Sequence, residues 1–333
     1  MDCLGAGLFA RSCSPTTFSN DFCPMSQRLF LSSGDLTADR RFEFARDLQL
    51  RGDLIAAAGL LEQAIELAPN FTSAWIALGE VREQLGECDG AVAAFRRARE
   101  CDPSDQHGAG LRLMRLGAEQ LSSMPKAYVQ SLFDQYAPRF EQALVNDLGY
   151  RAPAHLLKAV LEARAAARKP VLFERAIDLG CGTGLAAAAF ATQVDFFIGI
   201  DLSPGMIRQA RATGLYDQLE VADMIEGLRD QPDASTNLIV ATDAFVYLAD
   251  LAPALVESKR VLTDDGVLAF SLETHDGRGV ILGPKLRYAH AAEYVREATS
   301  KAGFKLLTLE PASPRTENNE PVPGFHVVAE NLE

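Results

Sequence analysis

The stretch Phe173-Glu-Arg-Ala-Ile-Asp-Leu-Gly-Cys-Gly-Thr-Gly-Leu-Ala186 decides how this chain is read. An apolar run closes on Asp178, glycines follow at 180, 182 and 184, and an alanine-rich segment continues to Ala191. That order is strand, glycine turn and helix. A second apolar run, Phe196-Phe-Ile-Gly-Ile-Asp201, also ends on an acid. Together they make one strand-helix-strand crossover of ordinary length, with Asp178 and Asp201 at the tips of adjacent parallel strands facing one crevice.

The glycine spacing selects the ligand. A G-x-G-x-x-G turn cradles a pyrophosphate on backbone N–H groups and a helix N-terminus. Here the spacing is G-x-G-x-G, and a carboxylate stands two residues ahead of Gly180. Asp178 repels phosphate and attracts an ammonium, while Asp201 has acceptors for two ribose hydroxyls. An amino-acid end, a ribose and no phosphate describe S-adenosylmethionine. The segment resembles the first two motifs of the class I S-adenosylmethionine-dependent methyltransferases. That resemblance implies a Rossmann-like α/β fold with a seven-stranded sheet, binding the cofactor through Asp178, Gly180, Gly182, Gly184 and Asp201.

Downstream, Ser203 can cap a helix with Pro204 in its first turn. Met206 matches the family residue that lies on adenine, with core packing as its competing role. Leu219-Glu-Val-Ala-Asp223 ends a third strand on another acid. Asp223 can accept the adenine amine, cap the next helix, or do both, and Met224 can pack on the ring. The fourth strand exits at Thr242-Asp-Ala-Phe245. That differs from the Asn-Pro-Pro-Tyr exit of resembling enzymes that methylate exocyclic amines of bases or glutamine, and it disfavours that chemistry. Candidate bases are His275, His290, Tyr247 and Asp243, with His275 first because it stands just past the fifth strand tip. An acceptor that is a carboxylate, an acidic carbon or a thiolate needs no base.

Upstream, Phe133, Tyr136, Phe140, Leu144 and Leu148 recur every three or four residues, one helical face. Phe133-Asp-x-Tyr-Ala-x-x-Phe140 is similar to the N-terminal lid helix of small-molecule methyltransferases, which implies that Tyr136 borders the methionine end of the cofactor. Earlier still, Pro69 and Pro103 stand 34 residues apart. Trp75, Leu78, Gly79, Gly86, Ala91, Phe95 and Ala98 fill the signature positions of a tetratricopeptide repeat. Phe44, Ala45, Gly52, Ala57, Leu61 and Ala64 form the preceding copy. Two copies are fewer than the roughly three that stand alone, so Gln106–Leu121 is expected to add a capping helix. The layout as a whole resembles a group of predicted bacterial methyltransferases with tetratricopeptide repeats.

The domains expected are a disordered segment at 1–35, an all-α tetratricopeptide repeat (TPR) domain at 36–121, and the methyltransferase domain with its lid at 122–333. Residues 1–24 carry neither a signal-peptide nor a transit-peptide pattern and read as an over-extended start. The chain has 333 residues and a net charge of −13, which argues against a general nucleic-acid binder. No apolar stretch approaches the roughly 18 residues of a membrane span. Six cysteines without a C-x-x-C pair suggest neither a zinc site nor a disulfide scaffold, and no metal is expected. A cytoplasmic location follows.

The expected function is methyl transfer to a small molecule or a protein, with the repeats available for a protein partner or for self-association. The competing reading is an adaptor whose repeats bind a partner while the S-adenosylmethionine domain serves as sensor or scaffold.

Overall fold

A computed structural model describes residues 30–140, 150–317 and 320–332. The expectations for residues 1–29, and for Leu144 and Leu148, lie outside the described residues. The chain divides into two compact units between Leu121 and Ser122.

The first unit is helical: α1 Leu36–Leu50, α2 Leu54–Leu67, α3 Thr72–Gln84, α4 Cys88–Cys101 and α5 Ala109–Arg115. Asp35 caps α1 by accepting from the Thr37 and Ala38 N–H groups, and Asp53 caps α2 through Ala56. Gly52 and Gly86 turn the chain between paired helices at φ of 83° and 79°, a region open to glycine. Small residues set the packing. At Gly79 a Cβ would lie 2.4 Å from the Phe95 ring, so that ring reaches the α3 backbone only because position 79 is bare. Ala45, Ala57, Leu61, Ala64 and Ala74 are fully buried in the core of the first pair.

The repeat period also stacks charge. Arg46 on α1 and Arg112 on α5 both pair with Glu80 on α3, at 3.4 and 2.9 Å. The capping helix is shorter than expected. Asp105 receives the Ala109 and Gly110 N–H groups at its start, and Gly117 leaves the helical region at φ 67°. Among the described residues, Cys101 and Cys181 are free thiols.

The second unit opens with α6 Lys126–Tyr136, a 3-10 turn at Ala137–Arg139, and α7 Ala152–Ala166. The crossover follows as β1 Phe173–Leu179, α8 Leu185–Phe190 and β2 Val194–Asp201. After it come α9 Pro204–Thr213, β3 Gln218–Val221, α10 Met224–Arg229, β4 Thr236–Ala241, α11 Ala252–Val261 and β5 Leu262–Glu273. Two short strands, β6 Val280–Leu282 and β7 Tyr288–His290, precede α12 Ala292–Lys301 and β8 Phe304–Ala312. The chain closes with β9 Thr316–Glu317, β10 Glu320–Pro321 and β11 Gly324–Asn331.

The main sheet runs β3-β2-β1-β4-β5-β11-β8, seven strands in the doubly wound order. The first five are parallel, and β11 lies antiparallel between β5 and β8. Beyond the seven expected strands, β7 joins β5 through Glu273 and Ala289 and carries β6 at its side. The buried strands read as near-continuous apolar runs because both faces are covered. On one face Leu156, Val160 and Phe190 from α7 and α8 pack on Ala176, Leu238 and Val328. On the other, Leu228, Leu255 and Val295 from α10, α11 and α12 pack on Ile177, Ile239 and Val327. Every ligand-facing loop therefore leaves the carboxyl edge of the parallel strands.

Candidate functional site: a cavity over the strand tips

A cavity of about 480 Å³ lies over those tips, within the range of small-molecule sites. Gly180, Gly182 and Asp201 form its floor, Asp223 and Met224 one side, Asp243 and Tyr247 another, and Phe133 and Phe140 its cover.

The glycine loop is bent by need. Gly180, Gly182 and Gly184 have φ of 68°, 55° and 104°, and a Cβ at Gly180 would sit 2.7 Å from the Ala244 Cβ. The loop is tied to the next strand, since Gly180 and Cys181 both donate to the Ile200 carbonyl. Asp201 then works in two directions. Its Oδ2 accepts the Gly182 N–H at 2.9 Å and its Oδ1 accepts the Ser203 N–H at 2.8 Å. Each oxygen keeps a second lone pair. Burial raises the Asp201 carboxyl to about 6 against the pull of those two N–H groups, with Asp134 adding repulsion.

Asp178 is fully buried behind the loop and does not line the cavity. Its Oδ2 accepts the Tyr216 hydroxyl at 2.6 Å, while Oδ1 has no partner. Burial, opposed by Tyr216 and reinforced by Asp201, lifts this carboxyl to about 7. Tyr216 was not legible in the sequence. Its only signal is a position just ahead of β3, where the ring fills the space left by Gly184 and Gly199.

The remaining expected residues divide. Gly184 starts α8 outside the cavity lining. Asp223 lines the cavity and also caps α10, accepting from the Ile225 and Glu226 N–H groups, and its Oδ2 lies 3.6 Å from the Lys126 ammonium. Tyr136 and Met206 are brought together with each other instead of facing the cavity. Phe133 and Phe140, on the same helical stripe as Tyr136, line the cavity. Phe133 meets Tyr247 edge-on with ring centres 5.4 Å apart.

His275 lies outside the cavity, with Nδ1 accepting the Gly277 N–H and Nε2 3.3 Å from the Gly279 carbonyl. It is not among the residues lining the cavity. His290 is fully buried, held by the Leu248 carbonyl at 2.9 Å, and burial keeps it neutral with a pKa of about 4.

The lid is latched by the Asp of the Phe133-Asp-x-Tyr-Ala stretch. Asp134 on α6 accepts from the Ser203 hydroxyl at 2.6 Å and the Gly205 N–H at 2.8 Å. It caps the helix that follows the ribose-side acid. Gly205 allows the approach, since a Cβ there would fall 2.9 Å from the Asp134 Oδ1.

The residues fit a phosphate-free adenosine with a cationic end. The unpartnered Asp178 oxygen awaits a donor, the loop presents bare backbone, and Asp201 keeps free lone pairs beside it. Among the described residues, no group of His, Cys, Asp and Glu is arranged to hold a metal ion. No helix there is long and apolar enough to cross a membrane.

Residues 177–270 match a methyltransferase domain model and residues 48–113 match a tetratricopeptide repeat model. The chain is 30% identical over 149 residues to a ubiquinone biosynthesis O-methyltransferase of Xylella fastidiosa, covering 44% of this chain and 60% of that one. It thus spans less than two thirds of that relative's length. It is 27% identical over 203 residues to methyltransferase-like protein 27 of Homo sapiens, covering 60% and 78% of the two chains. The crystal structure of the [4+2]-cyclase SpnF superposes with a TM-score of 0.51 at 18% identity, covering 64% of this chain and 98% of that one. The chain thus carries a methyltransferase domain with tetratricopeptide repeats ahead of it.

Proposed function

We propose that this protein transfers the methyl group of S-adenosylmethionine to a small-molecule or protein acceptor. The observation that carries the reading is Asp201, which lines the cavity at the tip of β2 while holding the Gly182 N–H of the glycine loop. When bound, S-adenosylmethionine supplies a methyl carbon made electrophilic by its sulfonium. Asp201 takes the ribose hydroxyls, Asp223 and Met224 the adenine, and Phe133 and Phe140 exclude water. The chain's work is alignment and desolvation, which suits in-line displacement.

Fold alone does not choose the reaction, since a [4+2]-cyclase shares it. The repeats offer a protein partner a surface, and Phe44, Leu50 and Ile55 are exposed there. A cytoplasmic setting suits the acidic surface.

Calorimetric titration with S-adenosylmethionine tests the reading. Binding should weaken at least tenfold in Asp201→Ala, about the worth of one charged hydrogen bond. Absence of binding in the native chain would refute it.

A further inference from the structure

The cavity wall away from the glycine loop carries a second charged assembly. Arg315, between β8 and β9, donates to Asp243, Glu273 and Glu317. Arg287, just before β7, donates Nε to Glu273 and Nη2 to Glu317, and Lys285 pairs with Glu317. Three cations face three carboxylates, so the assembly is neutral. The Arg315 and Arg287 side chains are only 2% and 8% exposed, yet both residues reach the cavity.

Ion pairing leaves two donors over. Among the described residues, Arg287 Nη1 has no partner, and neither does the hydroxyl of Tyr247, which lines the same wall. Burial holds that phenol in its neutral, donating form. On the acceptor side there is little left. Both Asp243 oxygens are engaged, one by Arg315 and one by the Ser271 hydroxyl at 3.2 Å. No histidine lines the cavity among the described residues. Arg287 and Tyr247 therefore offer N–H and O–H groups to an anion beside a fully engaged Asp243, while Asp250, also on the cavity lining, is held through Oδ1 by the Ala252 N–H and the Tyr294 hydroxyl. A neutral cluster with three carboxylates at its back favours a single negative charge over a phosphate dianion. Val129, Val246 and Leu248 add an apolar surface nearby.

Resting on the methyltransferase reading above, we propose that the acceptor is a small apolar carboxylic acid whose carboxylate is oriented by Arg287 and Tyr247 and methylated to its ester. One carboxylate oxygen bonds to the methyl carbon as the carbon–sulfur bond breaks. The electron pair stays on sulfur, which leaves as the neutral thioether of S-adenosylhomocysteine, and no proton is transferred. Asp243 and Arg315 are positioning residues that hold Arg287's partners.

The test incubates the full chain with methyl-tritiated S-adenosylmethionine and an extract of its host, then separates small molecules from precipitated macromolecules. Label should enter the small-molecule fraction and be released by mild alkali as volatile methanol. Arg287→Gln and Tyr247→Phe should lower that label at least tenfold and at least threefold, with S-adenosylmethionine affinity within twofold by calorimetry. The acid recovered from the ester should bind the chain saturated with S-adenosylhomocysteine, and that affinity should fall in both variants. Should Arg287→Gln not fold, Tyr247→Phe loses one hydroxyl and carries the same comparison. Alkali-stable label, label confined to macromolecules, or no protein-dependent label despite cofactor binding would overturn the proposal. An affinity for the acid that ignores both substitutions would do the same. Failure of S-adenosylmethionine to bind would instead remove the methyltransferase reading itself.

Discussion

Acidification should loosen S-adenosylmethionine, and the midpoint should identify the carboxylate responsible. Asp201 titrates near 6 because it is buried, with the Ser203 and Gly182 N–H groups opposing and Asp134 on the lid repelling it. A ligand whose ribose hydroxyls donate to Asp201 selects the ionised form, so affinity rises with pH. With that pKa the carboxyl is about one-hundredth protonated at pH 8, about half at pH 6 and about nine-tenths at pH 5. Affinity should therefore fall about tenfold between pH 8 and pH 5. Asp178, near 7 and facing Tyr216, Cys181 and Asp201, offers a competing midpoint. If the ligand ammonium meets its free Oδ1, weakening begins a unit higher and adds about a hundredfold by pH 5. Calorimetry in two buffers of different protonation enthalpy would count the protons released, nearly one at pH 5 and none at pH 8 if Asp201 acts alone. Constant affinity down to pH 5, or the same pH dependence in Asp201→Asn, would refute the reasoning.

Other substitutions test the scaffold around the cavity. Asp134→Ala removes both bonds to the start of α9 and should cost about 1–2 kcal/mol in urea melts while weakening S-adenosylmethionine. No change in either would make the lid contact incidental. Asp178→Asn should stabilise the ligand-free fold at pH 8 by at most about 4 kcal/mol and hardly at all at pH 4. A carboxyl raised above its unfolded value favours the fold below about 4 and loses that contribution as pH rises through 7, and melts at both pH values would check the sign. Gly79→Ala forces a methyl against Phe95 and should cost the helical unit about 1–3 kcal/mol. Faster amide exchange in α3 and α4, with the sheet unchanged, is the expected signature.

The crossover was legible because strand, turn and helix each leave a local signal, and glycine spacing with flanking acids reports backbone shape and charge together. Asp201, Gly180 and Gly182 follow from those signals alone. Tyr136 shows the limit of a periodic stripe. It names the buried face of a helix but not which residue of that face meets a ligand and which meets a neighbour, here Met206. The Arg287 and Arg315 assembly left no trace in sequence because its members come from four segments joined only by the sheet. Strands β6, β7, β9 and β10 were invisible for a simpler reason. At two or three residues each they are too short for alternation to register.

The place of β11 has a consequence for biosynthesis. Gly324–Asn331 is paired along both edges, to β5 on one side and β8 on the other, so an interior strand leaves the ribosome after both of its neighbours. Until it arrives, β5 and β8 each present a naked row of amides and carbonyls that can recruit strands from neighbouring nascent chains. Premature termination anywhere before Gly324 should therefore yield an aggregating product, not a slightly trimmed enzyme.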